Sequence, residues 1–70
     1  MNLGRNEEAL DCLNRALELE PDSAIAWLNK GDALYNLERY AEARKALTRA
    51  AALGNKSAEH TLSVMEQQGL

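Results

Sequence analysis

The chain has 70 residues and a net charge of -3, and its single Cys and single His (Cys12 and His60) exclude an internal disulfide and a structural zinc site of its own. Seventy residues make one domain at most, and at that size one core seldom supplies more than about 3–5 kcal/mol of net stability. The acidic balance with scattered Lys and Arg argues against a nucleic-acid module, and no stretch approaches the roughly 20 apolar residues of a membrane span.

Ala, Leu, Glu, Asn and Arg dominate and Pro21 is the only proline, which predicts an all-α fold. The first helix is expected from about Asn6 to Leu19, with Ala9, Leu13, Ala16 and Leu19 on one face and Pro21 as its stop. Asp22 or Ser23 can cap the second helix, whose apolar face is Ala24, Trp27, Leu28, Gly31, Leu34 and Tyr35. The short `NLER` then demands an antiparallel third helix, carrying Tyr40, Ala43, Leu47, Ala50 and Leu53. Gly54 stops it, Ser57 is the expected cap of a fourth helix, and Ala58, Thr61, Leu62 and Met65 form the last face before fraying near Gly69.

Laid against itself at an offset of 34, the chain matches identically at Leu3, Arg5, Glu8, Ala9, Leu13, Arg15, Ala16 and Leu19 with Leu37, Arg39, Glu42, Ala43, Leu47, Arg49, Ala50 and Leu53. A repeat of that period means stacked helical hairpins. Gly31 and Ala43 are small where the two helices of a hairpin must cross closely, so a larger side chain there would push the axes apart.

Trp27, Gly31, Leu34, Ala43, Leu47 and Ala50 resemble the signature of the tetratricopeptide repeat. Lys30 stands where that family usually has Leu, Leu34 and Leu47 replace its usual aromatics, and Asn55 replaces a closing Pro that the upstream copy keeps as Pro21. The resemblance implies about four helices, in antiparallel hairpins stacked as a right-handed superhelix. It divides the chain into residues 1–23 (second helix of a partial repeat), 24–57 (a complete repeat) and 58–70 (a first or capping helix).

Catalytic signals are weak. Gly4, Gly31, Gly54 and Gly69 are isolated and make no phosphate loop, and Cys12 and His60 fall on the first and last helices of a stack. Glu7, Glu8, Glu20 and Asp22 belong to a first turn or a cap, where negative charge favours the helix dipole. A DNA-reading helix is the competitor for such a hairpin, yet Glu38 and Glu42 dilute Arg39, Arg44, Lys45 and Arg49. The expectation is a chain that is not an enzyme, needs no cofactor or metal, and binds neither nucleic acid nor membrane. With one Cys and no basic-then-apolar order in `MNLGRNEEAL`, cytosol is the expected compartment.

The resemblance further implies a protein or peptide partner held in a concave groove lined by the first helices of successive hairpins. Its positions map to Ile25, Leu28, Asn29, Asp32, Tyr35 and Asn36, continued by Glu59, Leu62, Ser63 and Glu66. Of the basic clamp that such grooves use for acidic C-terminal tails, only Asn29 matches, so an acidic tail would be repelled and a neutral, apolar or basic segment preferred. The alternative is a homo-oligomer: Leu10 and Leu17, which stand where the third helix has Arg44 and Ala51, would be covered by a second copy or by missing sequence.

Overall fold

A computed structural model describes residues 3–70; residues 1 and 2 of the first expected segment lie outside the described residues. Four α-helices follow one another: α1 (Leu3–Leu19), α2 (Ala24–Asn36), α3 (Tyr40–Ala52) and α4 (Lys56–Gln68). The all-α expectation holds. Helix α1 begins about a turn before Asn6, at Leu3, so Glu7 and Glu8, expected in the first turn, lie beyond it. Each helix packs on the next, α1 on α2, α2 on α3 and α3 on α4, in a slab of 31 × 30 × 15 Å. A helix with its side chains is about 10–12 Å across, so at that depth every helix leaves a face to solvent.

Local chemistry sets the ends. Ser23 caps α2, its Oγ accepting from the Ala26 amide at 3.2 Å, and the Trp27 indole N–H donates to the Pro21 carbonyl at 2.7 Å. Pro21 thus both stops α1 and anchors the side chain that opens α2. At the other end of α2, Arg39 N–H reaches the Leu34 carbonyl at 2.9 Å across Glu38, which adopts φ 62°. The same wrap closes α3 across Gly54 (φ 99°) and α4 across Gly69 (φ 75°), so two of the three left-handed caps use the residue that adopts them without strain.

The expected cap at Ser57 is corrected. Asn55 is the cap, its Oδ1 accepting from the Ala58 amide at 2.9 Å, and α4 starts at Lys56, inside the span expected to close the complete repeat. Asn55 stands where the upstream copy has Pro21, and an Asn can cap where a Pro cannot.

The core is Leu34 (1% exposed) and Leu47 (0%) with Ala43, Ala46, Ala50, Ala58 and Met65. At the α2–α3 crossing, a Cβ added to Gly31 would meet the Leu47 side chain, so the small residue there sets the approach as expected, and Ala43 is fully buried on the facing helix. Helix α1 requires two corrections. Leu10 and Leu17, expected to await a second copy, are each 8% exposed and covered by their own chain, Leu10 within the core cluster of Leu34, Ala43 and Ala46. The stripe assigned to its core face is the open one: Ala9 and Ala16 are exposed, Leu13 is half-buried and Leu19 is 85% exposed. The reason is that α1 carries two apolar stripes. One repeats the stripe by which α3 meets α2, and the other, with Leu10 and Leu17 seven residues apart, is the side by which α1 packs on α2.

Candidate functional site

A cleft of about 420 Å³ opens between α1 and α2. Helix α2 contributes Asn29, Asp32, Ala33 and Asn36, and α1 contributes Asn6, Ala9, Cys12 and Leu13. The spacing explains the set: residues 29, 32, 33 and 36 are three and four apart on α2, and 6, 9, 12 and 13 likewise on α1, so each helix turns one continuous stripe to the gap. Ala9, Leu13 and Ala33 supply an apolar surface, and three Asn side chains with Asp32 supply donors and acceptors. Partial burial raises the pKa of Asp32 above the ordinary carboxylate value, so its charge is held in a less than fully hydrated setting.

Asn29, Asp32 and Asn36 are therefore brought together, but with α1 residues that sequence reasoning left out. The signal for those was present in the stripe Ala9, Leu13, Ala16, which was assigned to the core. Leu28 is half-buried against the core and Ile25 is 68% exposed. Tyr35 turns toward α4, its hydroxyl 3.2 Å from Gln68 Oε1 and its ring edge-on to Tyr40 with centroids 5.3 Å apart.

Helix α4 starts two residues earlier than the repeat period gives, which lengthens it at the Asn55 end. At the offset of 34 the burial of Glu59, Leu62, Ser63 and Glu66 matches that of Ile25, Leu28, Asn29 and Asp32, and none of the four lines the α1–α2 cleft. Glu59, Ser63 and Glu66 are exposed there and Leu62 is half-buried against the core.

A second cleft, of about 560 Å³, lies between α2 and α3 and is lined by Trp27, Lys30, Leu34, Glu42, Lys45, Ala46 and Arg49. Sequence reasoning placed Trp27 in the seam; the ring is half-buried, with Lys30 Nζ 5.2 Å from its centroid. Among the described residues no group of three or more His, Cys, Asp or Glu is placed to hold a metal ion, and no helix is long and apolar enough to cross a membrane.

A model of the tetratricopeptide repeat family matches residues 1–58. An uncharacterized protein of Methanocaldococcus jannaschii is 46% identical over 52 residues, which cover 74% of this chain and 60% of that protein. A STIP1 homolog of Dictyostelium discoideum is 44% identical over 43 residues, covering 61% of this chain and 8% of that protein. The chain thus spans less than two thirds of the length of either relative. No solved structure gives a significant match.

Proposed function

The chain belongs to the tetratricopeptide repeat family, whose repeats are protein-interaction modules, and from that premise we propose that it binds a segment of a partner protein in the cleft between α1 and α2. The observation that carries the reading is the convergence of Asn29, Asp32 and Asn36 with the apolar Ala9 and Leu13 across one gap. Apolar contact area with a few fixed polar groups is what a peptide site requires: the first gives affinity, the second register. The partly desolvated Asp32 sets the charge preference, repelling an acidic segment and favouring a neutral, apolar or basic one, whether helical or extended.

A peptide-array screen with the whole chain tests this, followed by titration of the hits against Asp32→Lys. Hits rich in apolar and basic residues that lose at least fivefold in affinity with the variant support the reading. Acidic hits, or hits indifferent to the reversal, count against it.

Self-association is the second reading, favoured by the open stripe of α1 and by Leu19 and Ile25, two large apolar side chains at 85% and 68% exposure. It would use these residues in place of Leu10 and Leu17. Sedimentation across a hundredfold concentration range separates the readings: a strict monomer removes this one, and a dimer dispersed by Leu19→Glu supports it.

A further inference from the structure

We propose that the cleft between α2 and α3 is a second binding site of opposite charge preference, one that takes an acidic peptide segment presenting a bulky apolar side chain between its carboxylates. The site is independent of the α1–α2 cleft. Its floor is Leu34 and Ala46 and one wall is the Trp27 indole, so the surface at the bottom is apolar and aromatic. At about 560 Å³ it is larger than the α1–α2 cleft and has room for a Leu or Phe side chain with its flanking backbone.

The rim gives the charge. Lys30, Lys45 and Arg49 surround the floor together with Glu42. Among the described residues the one ion pair is Arg39 to Glu42, at 2.6 Å, so the only carboxylate at the rim is already engaged by a cation outside it. Lys30, Lys45 and Arg49 have no acidic partner and converge on one concavity, on a chain whose net charge is -3. Such a cluster favours a ligand that brings carboxylates, and Arg49 can hold one with two parallel hydrogen bonds.

The cleft exists because of particular residues. Position 46 is Ala, 2% exposed, and Leu34 at 1% fills less space than an aromatic ring would; Lys30, in place of an apolar side chain, leans over Trp27 instead of closing the gap. A ligand's apolar side chain would occupy the volume these choices leave, against the indole face.

Trp27 is the only Trp of the chain, so its emission reports on this cleft alone. The test titrates the whole chain with two pentapeptides, Asp-Glu-Leu-Glu-Asp and the same peptide with Ala at its centre. It then repeats the titration with the double variant Lys45→Glu, Arg49→Glu, both exposed positions, with folding checked by circular dichroism. The proposal expects a saturable emission change, at least tenfold tighter binding of the Leu peptide, and a loss of at least tenfold in the double variant. A single Arg49→Lys variant, which keeps the charge, should retain most of the affinity. No saturable change up to millimolar peptide, equal affinity for the two peptides, or binding untouched by the double reversal would each overturn it.

Discussion

A Cβ placed on Gly31 would lie 2.6 Å from Leu47 Cγ and 2.7 Å from its Cδ2, and Leu47 is fully buried. The closest approach of α2 and α3 is therefore set by one missing methyl group. The cleft that these two helices share, with Trp27 and Lys30 on one side and Lys45 and Arg49 on the other, depends on that spacing.

Gly31→Ala should destabilise the chain. Replacing a helical Gly by Ala gains up to about 1 kcal/mol of propensity, but overpacking a tight core costs about 1–3 kcal/mol. The expected net loss is about 1 kcal/mol by urea unfolding, and Gly31→Leu should lose more. A stabilised Ala variant would mean that the crossing has slack.

Asn55→Ala should cost about 1 kcal/mol, because the Ala58 amide loses its cap, whereas Ser57→Ala should change stability by less than about 0.5 kcal/mol. Thermal melts of the two variants decide between the caps.

That pair also marks what the sequence made legible. The four helices, their order and the Gly31 crossing followed from apolar spacing and an internal match, since both are written into side-chain size and period. The site was harder to read. Helix α1 has two apolar stripes, and nothing in the composition of Ala9, Leu13 and Ala16 says that Leu10 and Leu17 will be the pair that α2 covers. The start of α4 was also hard to read, because both Asn55 and Ser57 are good caps and the loop before α4 is one residue shorter than the loop before α2.

Glu38→Gly should stabilise the chain. Glu38 holds φ 62° at the end of α2, where Gly54 and Gly69 perform the same turn after α3 and α4. A non-Gly residue in that region costs of the order of 1 kcal/mol, partly offset by the greater freedom of Gly in the unfolded chain. The expected gain is about 0.5 kcal/mol, or a few °C in Tm; a loss would show that the Glu38 side chain contributes more than its backbone costs.

Asp32→Asn should raise the melting temperature slightly at pH 7 and make no difference in acid. Burial raises the Asp32 pKa in the folded state, so the folded chain binds that proton more tightly than the unfolded one does. Its contribution to stability is fully present below the unfolded value, near 3.9 for an Asp, and is lost as pH rises through the higher folded value. Melts of both proteins between pH 3 and 7 should diverge as pH increases. Curves that converge toward neutral pH would reverse the sign.

The most direct test of the central reading is an amide chemical-shift titration of the labelled chain with the tightest basic or apolar peptide from the array. The account predicts that the largest shifts cluster at Ala9, Leu13, Asn29, Asp32 and Asn36, on the two helices facing one gap. Shifts confined to α4, or spread evenly along all four helices, would contradict it.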